Sequence, residues 1–455
     1  MKRVLGKRLI FNQTKSRSNS YRVLLWIVLI LGGVWLLLGL ERGEMASPFL
    51  PTPTPTRTTD SYLMEAQAYF DAGKLDDPLS DQDAIGAYQR ALQVDPQNSR
   101  AWAELARIQT YSSSLMSSDQ ERLDRLQEAL QSSQRAVEID PDNSLGNAIH
   151  AFVLDWNASS NLISADQRED YLVRAEAAAN RAYLLDPENA LALAFYAEVL
   201  LDQEKWDQAL EYVEQAVARA PDSMDAHRVY ATVLESTMQY RDSIEEYITA
   251  SSLAPNLTFL YLNIGLGYRH LQSFITALEY FERAAQVNEQ LGVRDPLPYI
   301  AIAKTYAQQG EFFIASVNAE KALSFNPTSA DTYGQLGMIY VQARNYESAL
   351  PALRCAVDGC SVDENLTAQE LSEQGLLDQS YAVSPLPLTN LTVAYYYVRY
   401  GSVLAYLSSP ENGYCERSLE LMAELRRQYP EDALLMTNVE DNEATCNSLM
   451  ESWGN

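Results

Sequence analysis

The sequence predicts an all-α chain, a right-handed superhelical solenoid of stacked helical hairpins preceded by one membrane-spanning helix. Three observations predict it. First, small residues recur at fixed distances ahead of a proline. Before Pro221 stand Ala216, Ala209 and Ala197; before Pro255, Ala250, Ser243 and Ala231; before Pro327, Ala322, Ala315 and Ala303. The same offsets from Glu289 and Ser361, where proline is missing, give Ala284, Ala277 and Gly265, then Ala356, Ala349 and Gly337. A period of about 34 residues signals hairpins that pack only on their neighbours. Second, Val23–Leu40 is free of charge. Third, charge is segregated. Residues 1–40 hold seven basic residues and no acidic one, whereas 41–455 hold 27 basic against 61 acidic residues, a net −34.

In chain order, residues 1–22 form a basic tail and 23–40 a spanning helix. Eighteen helical residues reach about 27 Å, close to the hydrocarbon thickness of a bilayer. A cleaved signal would have a shorter apolar region, and Glu44 stands where a cut after Ala46 wants a small residue. The positive-inside bias keeps the N-terminus cytoplasmic and exports the chain beyond Glu41. The expected location is thus the cell membrane, single-pass, with the repeats extracytoplasmic. Residues 41–59 contain Pro51-Thr52-Pro53-Thr54-Pro55-Thr56, an extended, semi-rigid stalk.

About eight hairpins fill 60–361. The first three keep the offsets, with Asp95-Pro96, Asp140-Pro141 and Asp186-Pro187 after Ala91, Ala136 and Ala182. They are spaced wider, and the polar stretches Ser112–Gln120 and Asn157–Asp166 are the expected longer turns. Residues 362–390 are an insertion with one short helical stretch. Residues 391–455 read as a degenerate hairpin and then a helix, Ala433–Trp453, that caps the stack.

Catalytic signals are missing from the sequence. His150, His227 and His270 fall in different hairpins, none with a second ligand at metal spacing. No GxSxG, GxxxxGK or HExxH occurs. The chain is expected to be no enzyme and to use neither cofactor nor metal. The acidic balance argues against nucleic acid as partner. Beyond residue 40 the Asn-x-Ser/Thr sites, at Asn157, Asn256, Asn365 and Asn390, matter only in a glycosylating secretory pathway. Cysteines sit only at Cys355, Cys360, Cys415 and Cys446. Four cysteines allow three pairings and sequence does not choose among them. Cys415 with Cys446 and Cys355 with Cys360 is preferred; free thiols packed as small apolar groups are the alternative.

The run Tyr261–Ala284, with Tyr261, Gly265, Tyr268, Phe274, Ala277, Phe281 and Ala284, resembles the tetratricopeptide repeat family. Small residues let two antiparallel helices approach, and aromatics fill the space beside them. The resemblance implies a groove lined by the first helix of each hairpin, with Glu198, Asp202, Arg228, Glu235, Leu262, Leu266, Arg269, Ile300, Lys304 and Met338 as lining residues. It implies a protein or peptide partner. Where chaperone-binding members carry a basic and asparagine clamp, this chain has Ala194, Leu262, Ile300 and Gly334, with Arg228 alone. Tyr395, Tyr396, Tyr397, Tyr400 and Tyr406 offer a second surface. The expected function is a membrane-anchored scaffold. Its rivals are an accessory subunit of a membrane complex, whose Gly32-Gly33 and Gly39 would admit close helix contact, and an enzyme with its site in the inserted loops.

Overall fold

A computed structural model describes residues 19–41, 57–76, 82–116, 119–160, 163–361, 382–388 and 390–453. The chain divides into two units, Met1–Arg57 and Thr58–Asn455. The stalk prolines, most of the basic tail and the helix expected within the insertion lie outside the described residues.

The first unit contains one helix, α1 (Ser20–Glu41). Its described apolar side chains point outward all round, Leu24, Trp26, Leu29 and Ile30 among them. Counted over described side chains alone, no helix is long and apolar enough to cross a membrane. In α1 those side chains run unbroken only from Ser20 to Trp35.

The second unit is a solenoid of hairpins. They are α2 (Thr59–Asp71) with α3 (Ala84–Val94), α4 (Ser99–Ser113) with α5 (Asp119–Ile139), and α6 (Ser144–Ala158) with α7 (Ala165–Leu185). Next come α8 (Ala190–Asp202) with α9 (Trp206–Arg219), α10 (Met224–Ser236) with α11 (Tyr240–Leu253), and α12 (Thr258–His270) with α13 (Phe274–Leu291). The last two are α14 (Leu297–Gln308) with α15 (Phe312–Phe325) and α16 (Ala330–Gln342) with α17 (Tyr346–Val357).

Local chemistry sets each boundary. Asn98, Asn143, Asn189, Ser223 and Ser329 cap the first helices by accepting a backbone N–H with their side chains. In four of these turns the residue six past the proline then ties itself back to that proline's carbonyl. Trp102 bonds Pro96 at 3.0 Å, Asn147 bonds Pro141 at 3.1 Å, His227 bonds Pro221 at 2.9 Å and Tyr261 bonds Pro255 at 2.8 Å. This explains why such different side chains share one register: each brings a polar group of similar reach. Gly265 is small because an added Cβ would lie 2.4 Å from the Phe281 ring. Substitution there would force the two helices of that hairpin apart.

The second and third hairpins correct one expectation. Their extra residues are not long turns. Most of them extend helices, so that α5 and α7 each have 21 residues where α9 has 14. Polar residues there belong to solvent-facing helix, while Leu126 and Leu130 keep the buried stripe.

After α17, β1 (Cys360–Ser361) pairs antiparallel with β2 (Ala382–Val383), Cys360 opposite Val383 and Ser361 opposite Ala382. Then come α18 (Leu391–Tyr406), α19 (Tyr414–Gln428) and α20 (Ala433–Trp453). Disulfides join Cys355 to Cys360 and Cys415 to Cys446.

Candidate functional site

The first helices of successive hairpins line the inside of the solenoid. From α4 to α10 each of these inner helices packs directly on the next, whereas α12, α14 and α16 touch one another only lightly. That difference divides the groove into a filled part and an open part.

In the filled part, side chains from hairpins far apart in sequence meet. Arg107 on α4 bonds Asp225 on α10 at 3.0 Å, and Tyr111 donates its hydroxyl to the same carboxylate. Arg228 grips Glu198 with two parallel bonds of 2.7 Å, the bidentate geometry that suits a guanidinium and a carboxylate. The Arg228 guanidinium also lies 5.8 Å from the ring centre of Tyr111, 5.4 Å from Phe152 and 5.9 Å from Trp156. Phe259 on α12 stacks on Tyr111 at 5.8 Å. Arg228 is 3% exposed and Glu198 7%, so neither can meet a ligand. Each charge has its opposite within bonding distance, which is what makes their burial tolerable.

Beside this cluster, burial raises the Asp155 carboxyl well above its ordinary value, helped by the neighbouring Asp202 and Glu198 carboxylates. Burial thus favours the neutral form of Asp155, which hydrogen-bonds Asp202. At the rim, Asn256 donates to the Ala72 carbonyl at 2.7 Å, joining the first hairpin's turn to the turn ahead of the sixth. Gly73 has φ of +71°, and a Cβ there would overlap Asn256, so glycine is required on both counts.

The open part contains a cleft of about 630 Å³ lined by residues from α12, α14, α16 and α18. Arg269, Lys304 and Met338 line it, together with Gln308, Gln335, Ile339, Gln342 and Tyr396. Asp331, close by, accepts bonds from Gln335 and, at 3.0 Å, from the Tyr396 hydroxyl. Arg269 is half-buried over the Phe281 ring, and its Nη1 is buried without a hydrogen-bond partner among the described residues. Partial loss of water pushes the pKa of both Arg269 and Lys304 down, although Lys304 as a whole residue is exposed.

Of the ten lining residues expected from sequence, three therefore share one cleft. Glu198 and Arg228 are consumed by each other, and exposed Asp202 hydrogen-bonds Asp155. Glu235 accepts from Tyr247 at 3.2 Å. Leu262 is buried in the core, while Leu266 and Ile300 are half-buried. The tyrosine surface is also largely absorbed. Tyr396, Tyr397 and Tyr400 are buried with hydroxyls on Asp331, the Leu386 carbonyl and Asp358, Tyr395 is half-buried, and only Tyr406 is exposed. Sequence reading missed the cleft's amides, Gln308, Gln309, Gln335 and Gln342. The repeat register could have found two of these, since Gln308 and Gln342 lie four residues after Lys304 and Met338. No group of His, Cys, Asp and Glu able to hold a metal occurs among the described residues. His150 bonds Ser133 at 2.9 Å, and His270 stacks on Tyr240 at 4.7 Å.

Models of the tetratricopeptide repeat match residues 171–255 and 330–358. The BBSome complex member BBS4 of Bos taurus is 25% identical over 146 residues, 32% of this chain and 27% of that protein. The match thus spans about a quarter of that relative's length. Among solved structures, the human IFIT1 dimer with PPP-AAAA aligns over 86% of this chain and 82% of its own, with TM-score 0.52 and 15% identity. The APC/C hetero-tetramer Cut9–Hcn1 aligns over 84% and 76%, with TM-score 0.47 and 16% identity. The likeness to IFIT1 is one of fold alone. This chain carries tetratricopeptide repeats in an all-α solenoid.

Proposed function

From a repeat solenoid whose groove is filled in one half and open in the other, we propose a membrane-anchored, non-catalytic scaffold that binds a segment of another protein in the cleft between α12 and α18. Tetratricopeptide-repeat proteins generally act as protein–protein interaction scaffolds, and the cleft carries the assignment to this half. Its volume of about 630 Å³ falls in the range of built binding sites, and it mixes apolar wall with a few polar groups, as an extended or helical segment requires.

The anchor is helix α1. Its 22 residues reach about 33 Å at 1.5 Å per residue. A helix apolar on every side suits a lipid surrounding, and the seven basic residues among 1–22 favour a cytoplasmic N-terminus with the repeats on the exported face.

One cell-based experiment tests both parts. A photoreactive amino acid replaces Gln342 in the cleft or, as control, exposed Glu279 on α13. Irradiation of intact cells should join the cleft position to one defined segment of a partner, and the control position should not be joined to it. Equal labelling from both positions would remove the groove assignment. A repeat domain shielded from protease outside intact cells, or washed off membranes by carbonate, would remove the anchor and its orientation.

A further inference from the structure

Arg269 and Lys304 are two cations in one cleft, and among the described residues neither has a carboxylate in ion-pair contact. Groove arginines elsewhere are satisfied: Arg228 by Glu198, Arg107 by Asp225 and by Glu104 at 2.9 Å. The carboxylate whose charge acts on Lys304, Asp331, is oriented by bonds from Gln335 and Tyr396 rather than by the lysine, and it offsets one of the two positive charges at most. The buried Nη1 of Arg269 has no described acceptor. A partly desolvated cation left unpaired raises the free energy of the empty cleft, and an entering anion removes that cost.

We propose that the anion is the carboxylate of an acidic side chain within the bound protein segment; this rests on the groove reading above and gives the ligand its chemistry. The guanidinium of Arg269 can meet a carboxylate with paired bonds, while Lys304 adds a point charge. Around them Ala307, Phe312, Met338 and Ile339 complete an apolar lining. The acid is therefore flanked by apolar residues in the ligand. Residues 41–455 carry a net −34, and this selects a short element. At physiological salt, charges beyond about 8 Å are screened, so one acid feels chiefly the two cations. A long acidic run would extend past them against a surface of its own sign.

The test uses the full chain in lipid nanodiscs and a library of displayed peptides flanked on both sides, so that none offers a free C-terminal carboxylate. Wild type should enrich peptides with a single Asp or Glu among apolar residues. Arg269→Gln and Lys304→Gln should each weaken the selected peptides about tenfold. Lys304→Glu, alone or with Arg269→Glu, should turn the selection toward Lys or Arg. Lys304 is exposed, so its variant carries the reversal even where the Arg269 variant melts early.

Peptides that bind wild type but show no acid, or an acid preference that survives Lys304→Glu, would overturn the inference and leave the groove reading standing. Selection only from a second library with free C-termini would also overturn it, because a chain end would then be the ligand. So would acid-bearing peptides that bind only after deletion of 362–381, which holds five acidic residues and would then be the occupant. Peptides indifferent to a cleft-filling Met338→Arg change would sink the groove reading itself.

Discussion

Two positions of the first helix, five and nine residues past the one that lies six beyond the turn proline or its equivalent, distinguish the two halves. In the second and third hairpins they are Arg107 with Tyr111 and Phe152 with Trp156; in the seventh and eighth they are Lys304 with Gln308 and Met338 with Gln342. Large rings in the early hairpins fill the axis and draw α10 and α12 across to meet them. Amides, a lysine and a methionine in the later ones line a cleft instead. One scaffold thus yields a filled core and an open cleft, depending on which side chains stand at two registers.

The largest effect should come from breaking the filled half. Glu198→Ala strands the Arg228 guanidinium among three aromatic rings, and removing one partner of a buried pair costs about 3–5 kcal/mol. Urea unfolding should show that loss. The paired change Glu198→Leu with Arg228→Met should recover most of it, because it removes both charges together. Neither variant should change peptide binding at the cleft, if the halves differ in purpose as well as in packing.

A second break falls at the other end. The Cys415–Cys446 bridge spans 31 residues and Cys355–Cys360 only 5. Loop entropy then assigns about 3.7 kcal/mol to the first and about 2 kcal/mol to the second. Cys446→Ser should accordingly expose α19 and α20 to limited proteolysis well before α4–α10. Equal protection of both ends would mean that packing, not the bridge, holds the cap.

Much of this was legible in advance, for a local reason. Alanine and glycine at the helix crossings, asparagine and serine at the caps and proline at the turns each act within one hairpin, so Gly265, Asn189 and Pro255 announce the period without knowledge of the rest. The fate of the groove is a long-range property. Arg228 reads as an isolated basic residue on an inner face. It lies against Glu198 of the neighbouring α8, but only the curvature that lets side chains of α4 reach α10 places it under Tyr111. The same holds for Asn256, whose partner Ala72 is 184 residues away. Polarity also misled, since the hydrophilic residues opening α5 and α7 form solvent-facing helix with the same composition as a turn.

Acid should act chiefly on the filled half. His150, largely enclosed on α6, has its imidazole pushed down to about 4, by burial first and then by Arg174. A base whose folded value lies below its unfolded 6.5 binds fewer protons folded than unfolded between those values. Stability therefore falls as pH drops from 6.5 toward 4, by about 2–3 kcal/mol. His227 works in the opposite sense. Its bond to Glu246 raises it, so its contribution is fully present below pH 6.5 and is lost as pH rises through the raised folded value. The His150→Gln variant isolates the first term: its unfolding midpoint should decline less than that of wild type between pH 6.5 and 4.5. Parallel curves would place the acid sensitivity elsewhere.

The smallest effect sharpens the comparison most finely, because it probes how completely charge is cancelled in the filled half. Asp155 is a buried acid whose folded value is raised above 3.8. The penalty for holding it is absent below the unfolded value and grows as pH climbs toward the folded one. Asp155→Asn keeps the shape and can still donate to Asp202 but removes the titrating proton. It should stabilise the chain by about 1 kcal/mol at pH 8, while making little difference at pH 4, where both forms are neutral. A stabilisation equal at both pH values would show that the site gains from a better hydrogen bond rather than from relief of charge. Destabilisation at pH 8 would mean that Arg228 draws on a negative charge at Asp155 as well as at Glu198, and the cation among the rings would then need two counter-ions where the structure supplies one in direct contact.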